Sequence, residues 1–158
     1  MAARLASVPL SDDETVFRHL PRGPGHWEPS GDGKLRVMPT AFNDRGQKPS
    51  VDIARLCPGG VPQTLLSREN GVLRLWVRQV RGVKDVTVQD AKQHVVQVYA
   101  FDVVPRPIAG PPANPAHAQI EASPAFSSDR HFRKLRIALA IICTAGDQWQ
   151  LTPEPIQS

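Results

Sequence analysis

Residues 128–145 carry the one strong helix signal in this chain, and that signal constrains everything around it. Ser127 or Ser128 can cap the segment, Asp129 falls in its first turn, and Gly146 follows its last apolar residue. Phe132, Leu135, Leu139 and Ile142 recur at helical spacing and form one apolar stripe. Residues 137–143 are apolar on every side, which predicts that this half is buried all round, with Leu139 and Ile142 almost fully so. The remainder is interrupted by 16 prolines and 11 glycines. It can offer only short strands and loops for the helix to cover.

Those strands announce themselves by alternation. Residues 34–38, 50–56 and 71–78 alternate polar and apolar side chains, and 83–88 and 95–104 are rich in β-branched residues. In the third of these, Leu73, Leu75 and Val77 share one face, and Val72, Arg74, Trp76 and Arg78 the other. Residues 16–20 read either as a helical turn capped by Ser11 or as a strand with Phe17 inward and Arg18 outward. Residues 62–70 suit one or two helical turns. Residues 21–33 are loop, and Trp27 within them either anchors that loop to the core or stacks on a ligand. Residues 105–115 form a rigid proline connector, after which 117–121 is a short strand. The expected class is α+β: a small, mostly antiparallel sheet with Pro/Gly-rich loops, covered by a C-terminal helix. The domain spans 11–150, with a flexible arm at 1–10 and an extended tail at 151–158.

Length and composition narrow the classes. A chain of 158 residues is enough for one domain with a sizeable core. The net charge of +4 favours anionic partners only mildly. Cys57 and Cys143 make neither a disulfide framework nor a zinc site, and the five histidines have no metal-ligand spacing, so no metal or cofactor is implied. No apolar run is long enough to span a bilayer, and the N-terminal residues lack the apolar core of a signal peptide. A cytoplasmic location is the expectation. Phosphate-loop and nucleophile-elbow motifs are missing.

Short blocks recur in a familiar order: Phe17-Arg18-His19-Leu20-Pro21, then Ala41-Phe42, Ser50-Val51-Asp52, and Asn114-Pro115-Ala116-His117-Ala118-Gln119-Ile120, with a basic helix closing the domain. In this the chain resembles a group of small uncharacterised bacterial proteins that carry similar blocks over most of their length. The resemblance implies that the blocks belong to one domain; it implies no activity.

Six residues stand out as candidates for binding. Arg18, Ser50 and Glu121 follow one another in the order arginine, serine, glutamate. ADP-ribosyltransferase-like toxins use these residue types in this order, for dinucleotide phosphate, ribose and oxocarbenium charge. His117, placed by the proline connector, is either a titratable group at a cleft or a ring satisfied by a loop carbonyl. Arg130 and Arg133 open the final helix with Lys134 and Arg136, where cations oppose the helix dipole unless an acid or phosphate lies nearby. Arg74, Arg78, Arg81 and Lys84 make a second basic cluster. His117, Glu121, Arg130 and Arg133 are expected on one side of the molecule, where an acidic or phosphorylated partner docks. The leading functional expectation is a non-enzymatic binding or accessory module of a bacterial system, acting through a protein partner. One alternative is a nucleic-acid-binding domain using the basic clusters. The other is an ADP-ribosyltransferase-like toxin or other small enzyme.

Overall fold

The computed structural model describes residues 9–153 apart from 23–24, 32, 61, 63–69, 85 and 146–147. The predicted helical turns at 62–70 and the glycine stop at 146 therefore lie almost wholly outside the described residues. The architecture is α+β, with a six-stranded antiparallel sheet, two small two-stranded sheets and one long C-terminal helix. Among the described residues, no helix is long and apolar enough to cross a membrane.

The strands are β1 (Thr15–Leu20), β2 (Trp27–Pro29), β3 (Leu35–Val37), β4 (Ser50–Ile53), β5 (Gly71–Trp76), β6 (Thr87–Gln89), β7 (Val95–Val98), β8 (Ala100–Pro105), β9 (His117–Ser123) and β10 (Trp149–Leu151). The six-stranded sheet has the order β10-β5-β1-β4-β9-β8. A short helix α1 (Val77–Arg81) follows β5, and α2 (Asp129–Ala145) follows β9.

Alternation divides the sheet into two faces. Val16, Leu20, Val51, Leu73, Ala118 and Ile120 point to the face covered by α2, where they pack with Phe132, Leu135 and Leu139. Phe17, Val72, Cys57 and Ala116 form a smaller cluster on the opposite face. Leu10, placed by the sequence in the N-terminal arm, is buried in the main core, and its carbonyl accepts a hydrogen bond from Arg81 Nη2 at 2.7 Å. Trp27 serves as an anchor, packed edge-on against Trp149 with ring centroids 6.0 Å apart. Gly71 is required by the packing of that same Trp149 ring: a Cβ there would come 2.5 Å from it.

Besides the strand expected at 50–56, which ends at Ile53, and that expected at 83–88, which is observed at Thr87–Gln89, three local expectations are corrected. The strand read as 71–78 ends at Trp76, because Val77 and Val80, one helical turn apart, both enter the core. Gln79 caps this turn by accepting the Trp76 N–H at 2.9 Å. The stretch 95–104 is two strands, β7 in a separate hairpin and β8 in the main sheet, hinged at buried Tyr99. The third correction concerns α2. Leu139 is fully buried, but Ile142 is only half-buried, Ile137 is 39% exposed and Ile141 is 62% exposed. The helix packs on one side only, so an all-round apolar segment leaves its outer side in solvent. Ser128 is the cap, its Oγ accepting from His131 N at 3.4 Å.

Leu139→Ala is expected to cost about 2–5 kcal/mol, whereas Ile141→Ala should change stability by no more than about 0.5 kcal/mol. Urea denaturation of both variants checks the pair, and equal losses would contradict the one-sided packing.

Candidate functional site

Four of the six candidate residues lie in one hydrogen-bonded chain through the sheet. It starts at Arg18. On β1 this residue points to the α2 side with Val16 and Leu20, whereas Phe17 is buried on the other face; the phenylalanine is inward as expected, but the arginine expected outward is also turned in. The guanidinium uses all five donors: Nε and Nη2 donate to Ala41 O at 3.0 and 2.8 Å, Nη1 donates to Asp44 Oδ2 at 2.9 Å and to Ser50 O at 2.7 Å, and Nη2 also donates to Asp44 Oδ1. Its side chain is 12% exposed and that of Asp44 18%. Asp44 Oδ2 in turn accepts the Ser50 N–H at 2.7 Å. The ion pair therefore holds both main-chain polar groups of Ser50.

Ser50 sends its side chain to the opposite face, where Oγ lies 3.2 Å from His117 Nε2. His117 Nδ1 lies 2.7 Å from the carbonyl oxygen of Arg106. A carbonyl only accepts, so Nδ1 carries the proton, and in the neutral ring Nε2 accepts from the Ser50 hydroxyl. The loop carbonyl anticipated for His117 is thus present, with a serine on the other ring nitrogen. Arg106 is itself held by Glu121 through two bonds of 2.9 and 3.0 Å, and this pairing raises the arginine pKa above its usual value. Asp52, opposite His117 in the register, accepts from Asn114 Nδ2 at 2.8 Å. The blocks containing Phe17, Ala41, Ser50 and Asn114 consequently meet around adjacent strands β1, β4 and β9.

Arg130 and Arg133 do not join this network. Ala118 and Ile120 of β9 face α2, while His117 and Glu121 point away from it, so the expected single surface does not form. Instead Arg130, Arg133 and Lys134 are exposed on α2 and form no ion pair among the described residues. Farther along the same helix, Ile137, Ala140 and Ile141 flank a groove of about 390 Å³ whose other wall is Val37, Met38 and Pro39. Thr144 Oγ1 accepts the Val37 N–H at 3.3 Å and ties the two walls together. Arg136 is buried, lies over the Phe132 ring at 4.9 Å and donates to Asp129 at 3.3 Å.

Two of the four residues of the other basic cluster, Arg78 and Arg81, are paired with the protein's own acids. Arg81 pairs with Asp12 at 2.6 Å and Asp102 at 2.8 Å, and Arg78 pairs with Asp13 while stacking on Trp76 at 4.2 Å. Burial raises the Cys57 thiol to about 11, with Asp52 adding to the effect, and raises Cys143 to about 12, so neither is a thiolate near neutral pH. Among the described residues, no group of three or more His, Cys, Asp or Glu side chains is placed to hold a metal ion.

No family model matches the chain, and no match was found among curated proteins or solved structures.

The network can be tested at Arg18 and at its neighbour His19. Arg18→Met strands Asp44 and two carbonyls and should cost roughly 3 kcal/mol, with Arg18→Lys recovering little because one ammonium cannot span three acceptors; guanidinium titration measures both. The second test concerns His19, whose pKa is lowered by burial and then by the Arg18 charge, with Asp52 partly opposing. Its depressed folded value means that the unfolded chain takes up the proton first as pH falls below the ordinary histidine range. Stability from this group is therefore full at higher pH and is lost on acidification. His19→Gln should lessen the fall in melting temperature between roughly pH 7.5 and roughly pH 5.5; an unchanged pH dependence would exclude the effect.

Proposed function

We propose that the protein is a binding or accessory module of a bacterial cell that acts through a protein partner, received on the outer side of α2. The observation carrying this reading is the exposure of Ile137 and Ile141 beside the groove of Val37, Met38 and Pro39. Apolar side chains gathered in water along a groove are the usual mark of a surface that another molecule covers. Charge complementarity supports an acidic occupant. Three cations without an ion-pair partner among the described residues, Arg130, Arg133 and Lys134, precede the two isoleucines on the same helix. The surface from Arg130 to Ala145 is about 22 Å long, the length of four turns of helix. It suits an amphipathic helical segment with apolar anchors at one end and acidic residues at the other.

The nucleic-acid reading is weaker because Arg78 and Arg81 are held by the protein's own aspartates and the Trp76 face is occupied by Arg78. The toxin-like reading needs a free Arg18, and all five donors of that guanidinium are taken up internally.

A photo-crosslinking amino acid at position 141, used in cells that express the protein, tests the proposal. Mass spectrometry of the adduct should identify a peptide with acidic residues and apolar residues at helical spacing, and the adduct should vanish with Arg130→Glu and Arg133→Glu combined. Crosslinked nucleotides, or no adduct beyond that from the same group at Val96, would overturn it.

A further inference from the structure

The face of the sheet turned away from α2 carries a second feature, independent of the docking surface. Ser50 and His117 meet there with the geometry of a nucleophile and its base: Oγ is 3.2 Å from Nε2, and Nδ1 is bound to a carbonyl oxygen at 2.7 Å. Both members are held from behind. The Arg18–Asp44 pair fixes the Ser50 main chain through bonds of 2.7 Å to its N–H and its carbonyl. On the other side, Arg106 N donates to His117 O at 2.9 Å, so the same residue holds both the main chain and the ring of His117. Ser50 and His117 are each only half-buried, so small molecules can reach them. Gln119 lies directly opposite Ser50 in the β4–β9 register and shares its face, so its side chain is within reach of the serine.

We propose that Ser50 and His117 form an acyl-transfer site for small, unhindered esters. Ser50 Oγ bonds to the ester carbonyl carbon as its proton passes to His117 Nε2. The carbonyl oxygen takes the negative charge and accepts a hydrogen bond from the Gln119 carboxamide. Collapse breaks the bond to the alkoxy oxygen, which leaves as the alcohol with the proton from His117, and Ser50 remains acylated. Water then gives a proton to Nε2 and adds to the acyl carbon. Collapse of this second adduct releases the carboxylic acid, and the proton returns to Ser50 Oγ. The balance is ester plus water to acid plus alcohol. Arg18, Asp44 and Arg106 are positioning residues, since none of them touches the reacting atoms. Ser50 and His117 are only half-buried, which favours short acyl groups over long chains, since those need a walled pocket.

Two probes test this site: a small fluorophosphonate, read by intact-protein and peptide mass spectrometry, and p-nitrophenyl acetate, read by nitrophenolate release. The expected result is one adduct, mapped to Ser50, and ester turnover that Ser50→Ala reduces to the buffer rate. His117→Gln should lower turnover by about 100-fold or more and prevent labelling, as expected for loss of a general base. His94→Gln, beside the β6–β7 hairpin turn, should leave the rate unchanged. Melting temperatures establish that the variants are folded. If Ser50→Ala does not fold, Ser50→Cys keeps the side-chain shape; alkylation of its new thiol by iodoacetamide should be faster than that of Cys57 and should lose the advantage when combined with His117→Gln. Absence of a Ser50 adduct, turnover that survives Ser50→Ala, or alkylation of the Ser50→Cys thiol indifferent to His117 would each overturn the proposal. None of these readouts involves α2, so failure here leaves the docking surface untouched.

Discussion

The structure depends most on one ion pair, between Arg18 and Asp44. It ties three separate pieces of chain together: strand β1, the turn ending at Phe42, and the start of β4. The ladder between β1 and β4 pairs only Val16 with Ile53 and Phe17 with Asp52, so it stops short of Ser50 and of the turn ending at Phe42. The guanidinium replaces that missing continuity with five directed bonds. A pair of this kind is costly to desolvate, and the cost is offset only when every donor and acceptor has a partner. Here Ala41 O, Ser50 O and Ser50 N–H provide those partners, and the Phe42 ring lies 5.6 Å from the guanidinium carbon.

Much of the fold is legible in the sequence because it rests on local periodicity. The stripe of Phe132, Leu135 and Leu139 specifies a helix, and the alternation in β4, β5 and β9 specifies strands, since each pattern is set by the geometry of its own element. What is illegible depends on packing between elements. Nothing in residues 137–143 distinguishes a helix wrapped by protein from one packed on a single side. Nothing before Val77 signals that the chain will leave the sheet, since a β-branched residue suits a strand. Charge alone assigns Arg18 outward, and only a distant carboxylate at Asp44 offsets the cost of its inward orientation.

The polar network shows the same division. Arg18, Ser50, His117 and Glu121 are visible as residue types placed by rigid or strand-like segments. Asp44 and Arg106, which join them, escape a sequence reading because each acts across elements remote in the chain: Asp44 is 26 residues from Arg18, and Arg106 is 15 from Glu121. A signal exists for Asp44 in the turn at 43–47, where an acidic residue closely follows an apolar pair, but many surface turns look alike. The misplacement of Arg130 and Arg133 has a simpler origin. Strand alternation in β9 sends Ala118 and Ile120 to the helix, and the same alternation necessarily sends His117 and Glu121 away from it.

That alternation also gives the molecule two surfaces whose chemistry is separable. Between them lies the packed core, with Val16, Leu73, Ile120 and Leu135 fully buried. The helix surface carries an electrostatic imbalance: Arg130, Arg133 and Lys134 stand in the first turns, where the dipole disfavours cations by a few tenths of a kcal/mol each, roughly. Asp129 offsets part of this through its bond to Arg136, but among the described residues no acid reaches the other three. Carboxylates brought by a docked segment would offset the remainder and at the same time leave Ile137 and Ile141 covered. Charge and apolar exposure on α2 therefore ask for the same occupant, while the Ser50–His117 pair, oriented from behind by Arg18 and Arg106, needs nothing from that side of the sheet.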